Sequence, residues 1–142
     1  MKSEKEVLSS ILKTAQMGQV GIRAVMPMAS KVELQNALHD QLTEYNSIEG
    51  SAQKIAHNNG WQLKGLDPVA KKMSQMYAKF NLSYGNVDSK IAAMMIQGNM
   101  RGLIKGIKNA HHSKACGQQV ISLSQKLQHC EEDNIKQMQG YL

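Results

Sequence analysis

The stretch 89-SKIAAMMIQGNMRGLIKGIKNAH-111 decides the fold, because Gly98, Gly102 and Gly106 recur every fourth residue inside an otherwise helical pattern. A glycine in a helix interior costs roughly 1 kcal/mol relative to alanine. Three on one stripe therefore predict that another backbone approaches closely. At about 100° per residue, Ala93, Ile96, Met100, Leu103, Ile104 and Ile107 form one apolar arc. Ile91, Met95 and the three glycines form a second, and Lys90, Gln97, Arg101, Lys105 and Lys108 take the remaining side. The pattern predicts two buried faces and one wet face. The same glycine spacing drives helix pairing in membranes, but the basic side excludes a lipid-embedded helix here.

On either side of this stretch the chain reads as further helices. Ser3 followed by Glu6 is a capping-box spacing, and Leu8, Ile11, Leu12, Ala15, Ile22 and Met26 share one helical face up to Pro27. After a short link, Ser30 and Glu33 repeat the capping pattern. Leu34, Leu38, Gln41, Tyr45, Ile48, Ala52 and Ile55 then mark a second helix that stops at Asn58, Asn59 and Gly60. So short a link makes the first two helices antiparallel neighbours. Trp61, Leu63 and Leu66 fall in a loop and are expected to cover the end of the bundle. Asp67 and Pro68 open a shorter helix with Val69, Met73, Met76 and Phe80 on its apolar side, closed by Tyr84 and Gly85. Asp88 or Ser89 caps the glycine-bearing helix. After a turn over Asn109 to Ser113, a last helix carries Cys116, Val120, Leu123, Leu127, Asn134 and Met138 along its seam.

Composition agrees with this pattern. The 142 residues suit one domain over positions 1–142, and with two prolines and one phenylalanine the chain favours helices over strands. The expectation is an all-α, single-domain helical bundle. Neither a continuous apolar span nor a secretory leader pattern is visible, so a cytoplasmic location without membrane insertion is expected. Cys116 and Cys130 lie fourteen residues apart on one predicted helix, about 21 Å at 1.5 Å per residue, too far to bond to each other. The net charge of +6 is uneven, with six basic and six acidic residues over positions 1–60. Between Lys64 and Lys114, nine basic residues face only Asp67 and Asp88. Such a segment can attract phosphates or acidic partners, and a nucleic-acid contact through Lys105, Lys108 and Lys114 is one alternative.

Phosphate-loop, paired-cysteine zinc and His-Glu-x-x-His motifs are all missing from the sequence. Three local features carry potential chemistry. Gln19, Glu44, Asn99, Glu131 and Asn134 lie in or beside apolar arcs at similar heights, which predicts a polar layer fixing helix register. His112 and Cys116 would stand one turn apart if the last helix began by residue 112, and His129, Cys130 and Glu131 form a similar cluster. His39 and His57 point away from the seam. Lys71, Lys72, Tyr77, Lys79, Phe80 and Tyr84 combine basic and aromatic side chains, with Phe80 on the core side.

Four long helices with a crossover containing a short helix resemble the ferritin-like four-helix bundle, and more loosely small bacterial helical proteins. The resemblance implies that the second and third long helices are parallel. It also implies a metal centre built from a Glu on two helices and a Glu-x-x-His on the other two. In the matching places this chain offers Gln19, Glu44-x-x-Ser47, Asn99 and Glu131-x-x-Asn134. Both histidines and two of the four carboxylates are missing, leaving Glu44 and Glu131 as the candidate metal ligands of a degenerate centre. The expected function is therefore non-catalytic: binding or scaffolding through self-association, as a homodimer first, with no cofactor. A metal-binding ferritin relative is the alternative.

Overall fold

The computed structural model describes residues 3–72, 85–111 and 115–142. They form α1 (Glu4–Val25), a short 3-10 turn (Met26–Met28), α2 (Val32–Asn58), α3 (Val87–His111) and α4 (Gln118–Gln139), and residues 68–72 are also helical. No strand occurs among the described residues. The expectations placed on Met73, Met76, Tyr77, Lys79, Phe80, Tyr84, His112 and Lys114 lie outside them.

Ser3 caps α1 as its spacing predicts, its hydroxyl accepting the Glu6 N–H at 3.2 Å. The periodic seams are buried: Leu8, Ile11, Leu12 and Ile22 from α1 meet Leu34, Leu38, Ile48 and Ala52 from α2. Ile91, Ala92 and Met95 from α3 and Val120, Leu123, Leu127 and Met138 from α4 complete the core. Each buried Leu, Ile or Met side chain contributes about 1.5–3 kcal/mol relative to leaving it exposed. Trp61 and Leu63 pack against this core half-buried, as a cover for the bundle end should.

Hydrogen bonds between helices give their directions. Gly117 N–H donates to Glu4 Oε1 at 2.9 Å, so α1 and α4 begin at the same end. Asp88, in the first turn of α3, accepts from Ser30 N–H at 2.7 Å, the Ser30 hydroxyl at 2.9 Å and Lys31 N–H at 3.1 Å, so α2 and α3 begin at the other. Asn109 Nδ2 donates to Ser10 Oγ at 2.7 Å and Gln41 Nε2 to Gln137 Oε1 at 2.8 Å, each joining the start of one helix to the end of its neighbour. The chain between Asn58 and Val87 therefore returns from one end of the bundle to the other. α1 packs on α2 and α3 on α4, α2–α4 and α1–α3 contacts close the bundle, and α1 meets α4 across the middle. α2 and α3, which share no substantial packing, stand at opposite corners.

Parallel pairing brings two positive helix N-termini together at each end, and a carboxylate sits at each junction. This corrects the predicted caps. Ser30 does not cap α2, which starts at Val32 with no side-chain cap hydrogen bond; Asp88 of α3 accepts the N–H groups of Ser30 and Lys31 just ahead of it. The start of α3 is capped instead by Asn86, whose Oδ1 accepts the Ser89 N–H at 3.2 Å. Although burial alone would raise it, the Asp88 carboxyl is held below the usual range by its Ser30 and Lys31 hydrogen bonds and the Lys31 charge. The predicted turn at Asn109 is also replaced by helix through His111, because buried Asn109 finds its partner in Ser10. Cys116 lies in a bend ahead of α4, so it shares no helix with Cys130.

The glycine stripe divides. A Cβ at Gly102 would lie 3.0 Å from Glu131 Oε1 and 3.2 Å from Thr14 Cγ2, and one at Gly106 3.2 Å from Gln128 Cγ. These two positions bring α3 close to α4 and α1. Gly98 is exposed, with nothing within 4 Å of the place a Cβ would take, so it is not a packing position. The expectation of two buried faces on α3 is corrected as well. Met100, Ile104 and Ile107 are 44%, 50% and 40% exposed, because α1 and α4 both pack on the glycine side. A mid-helix glycine outside the predicted stripe, Gly18, matters more: a Cβ there would meet the Tyr45 ring at 2.6 Å.

Gly98→Ala should raise stability by up to about 1 kcal/mol through helix propensity. Gly18→Ala and Gly102→Leu should each lower it by roughly 1–3 kcal/mol through overpacking. Urea unfolding of the three variants checks both signs, and a stability unchanged at Gly18 and Gly102 would overturn the close-approach account.

Candidate functional site

The polar layer is built around Tyr45. A tyrosine on the buried seam of α2 must find a partner for its hydroxyl, and the ring reaches across the bundle because Gly18 of α1 leaves room beside it. The Tyr45 hydroxyl lies 2.9 Å from Glu131 Oε1 of α4 and 3.4 Å from Asn99 Oδ1 of α3. Glu131 is 1% exposed and Asn99 2%, and Gly102 is what lets the Glu131 carboxyl lie against α3. Asn134, one turn further along α4, donates to Cys130 Sγ at 3.5 Å.

Of the predicted layer residues, Asn99, Glu131 and Asn134 are therefore buried around one centre. Glu44 is half-buried at its margin, near enough for its charge to act on Cys130 and Glu131. Gln19 belongs elsewhere: its Nε2 donates to Glu49 Oε1 at 2.9 Å and to Ala15 O, and Gln16 Nε2 reaches Glu49 Oε2 at 2.8 Å. These amides satisfy a second carboxylate on the α1–α2 side. The signals for the missed residues were present, since a seam tyrosine needs a hydroxyl partner and Gly18 carries the same helical cost as Gly102.

Electrostatics at the centre follow from burial. Loss of water pushes the Glu131 carboxyl up to about 8, with the Tyr45 hydrogen bond opposing and the Glu44 charge adding. Burial, then the Glu131 and Cys130 charges, keeps the Tyr45 phenol protonated. Burial and then the charges of Glu44 and Glu131 likewise push the Cys130 thiol up, so it behaves as a small apolar group. Among the described residues three buried side-chain atoms have no hydrogen-bond partner: Glu131 Oε2, Asn99 Nδ2 and Gln41 Oε1. Each such group costs about 1–3 kcal/mol, comparable to what one buried Leu contributes. The balance makes the layer a device for helix register rather than a source of net stability.

Chemically, the centre holds a carboxylic acid that is neutral at and below neutral pH, beside a phenol and an amide. A cleft of about 200 Å³ opens near the start of α1 and α4 between Val7, Cys116, Val120 and Gln128, and neither Tyr45 nor Glu131 lines it. Among the described residues no group of three or more His, Cys, Asp or Glu is placed to hold a metal ion, and no helix is long and apolar enough to cross a membrane.

Because the folded state holds the Glu131 proton more tightly than the unfolded chain, stability falls as pH rises from the ordinary value of 4.5 through about 8. Glu131→Gln keeps the shape of the neutral acid and should abolish this fall. Urea unfolding at several pH values between 5 and 9 checks it, and parallel curves for variant and parent would refute the assignment.

Compared with known proteins, the chain matches no protein family, no curated protein and no solved structure.

Proposed function

We propose that the chain is a non-catalytic helical-bundle protein that binds or scaffolds by self-association through the outer face of α3. The observation that carries this reading is the apolar stripe of Met100, Ile104 and Ile107, exposed beside Arg101 and Lys108. Three large apolar side chains within two turns of one helix form a patch of the kind that marks an interaction surface. The buried centre supports the non-catalytic half of the reading, since its acid and phenol are enclosed and its thiol is held protonated. Parallel α2 and α3, joined by a returning connection, support a ferritin-like arrangement of the bundle.

A second reading has one observation in its favour. The unpartnered Glu131 Oε2, with the Glu44 charge nearby, supports a degenerate metal site with these two carboxylates as ligands. Elemental analysis of the purified protein tests it: stoichiometric iron, manganese or zinc, lost in Glu131→Gln, would favour a metal-binding role over the first reading.

Self-association predicts a concentration-dependent mass by sedimentation. Replacing Ile104 and Ile107 together with Gln should shift the protein to monomer while leaving the melting temperature within a few degrees, because both side chains are already largely in water. A parent protein that remains monomeric at about 100 μM, a concentration at which even micromolar contacts are populated, would overturn the proposal.

A further inference from the structure

We infer that self-association is heterologous, with the outer face of α3 in one copy seated on the outer face of α2 in the next. This rests on the self-association reading and specifies the partner surface. Charge is the first ground. On α2 the exposed acidic residues are Glu33 and Asp40, with Lys54 exposed further along, while Glu44 is half-buried and Glu49 is held by Gln16 and Gln19 of α1; α3 carries Lys90, Arg101, Lys105 and Lys108 against Asp88. Asp88 is buried and engaged by Ser30 and Lys31, so it offers the outer face of α3 no negative charge.

Position in the bundle is the second ground. α2 and α3 occupy opposite corners, so the acidic and basic faces point away from one another and cannot neutralise within a single copy. An isologous dimer made by two α3 faces would set Arg101 and Lys108 of each copy beside the same residues of the other, and like charges across an interface oppose docking. Seating α3 on a neighbour's α2 instead brings Arg101 and Lys108 towards exposed Glu33 and Asp40.

Surface shape agrees. Along its exposed side α2 presents Asn36, Thr43, Ser47 and Gly50, none large, with the longer His39 and Lys54 exposed beside them. Nothing lies within 4 Å of the place a Gly50 Cβ would take. A protruding Ile104 therefore meets a shallow, small-residue face rather than another bulky stripe. Because the two contact surfaces differ, each copy keeps one of each free, and assembly continues past the dimer until it closes into a ring or extends as a chain.

Complementary charge exchange tests this directly. Sedimentation of the parent should show species larger than a dimer, weakened as salt rises and screens the charges. Arg101→Glu with Lys108→Glu, and separately Glu33→Lys with Asp40→Lys, should each weaken association roughly tenfold or more, the scale of one lost close charge pair. An equimolar mixture of the two variants pairs a basic α3 with an acidic α2, and an acidic α3 with a basic α2, and should recover association. Circular dichroism and melting temperature confirm that each variant is folded, and recovery in the mixture is itself proof of competent surfaces. A parent that stops at a dimer, or a mixture no stronger than either variant alone, overturns the heterologous contact while leaving self-association standing. A monomeric parent overturns both.

Discussion

The contact between the Tyr45 hydroxyl and Glu131 is the constraint on which the bundle depends, because it is made at 2.9 Å between two side chains that are each 1% exposed. A carboxyl so placed has no water to fall back on. Its surroundings are accordingly specific: a phenol from α2, an amide from α3, and a glycine on α3 in place of any side chain. Sliding α4 by one turn would leave Glu131 buried without Tyr45, at a cost of several kcal/mol for an unpaired polar group in the interior. The apolar seams hold the helices together, and this layer selects one register among those the seams allow.

Two glycines make that layer possible from opposite sides. Gly18 accommodates the Tyr45 ring and Gly102 the Glu131 carboxyl, so α1 and α3 give up helix propensity where α2 and α4 place their largest buried polar side chains. At the bundle ends carboxylates perform a related task. Asp88 receives the N–H groups at the start of α2, and Glu4 that of Gly117 ahead of α4, which neutralises the paired positive ends that a parallel arrangement creates. Polar atoms thus set both the register and the direction of the helices.

The interior and the surface therefore divide the roles. The interior carries titratable groups, yet they are enclosed and engaged in packing, and the pH dependence expected of them is one of stability. The surface carries the unspent apolar area, concentrated on α3, together with a separation of charge between α2 and α3 that the bundle places at opposite corners. The proposed binding role rests on that distribution.

Much of this was written in the residues. Periodicity alone determined that the chain is helical, where its long helices lie, and which seams are buried, since a 3.6-residue repeat and a hydrophobic face are local properties. Residue type and depth also marked Asn99, Glu131 and Asn134 as interior polar groups. Tertiary structure decided what each of these touches. Tyr45 read as one more seam residue until the bundle set its hydroxyl beside Glu131, and Gln19 read as part of the same layer until Glu49 claimed it. Asp88 read as the cap of its own helix, yet its carboxylate is taken by the segment just ahead of α2, accepting the N–H of Lys31 and that of Ser30, 58 residues away in sequence. The arc of α3 that holds Met100, Ile104 and Ile107 read as buried because a helical wheel shows which side chains share a face but not how many neighbours a bundle supplies. Only the packing of α1 and α4 on the glycine side left Met100, Ile104 and Ile107 in water.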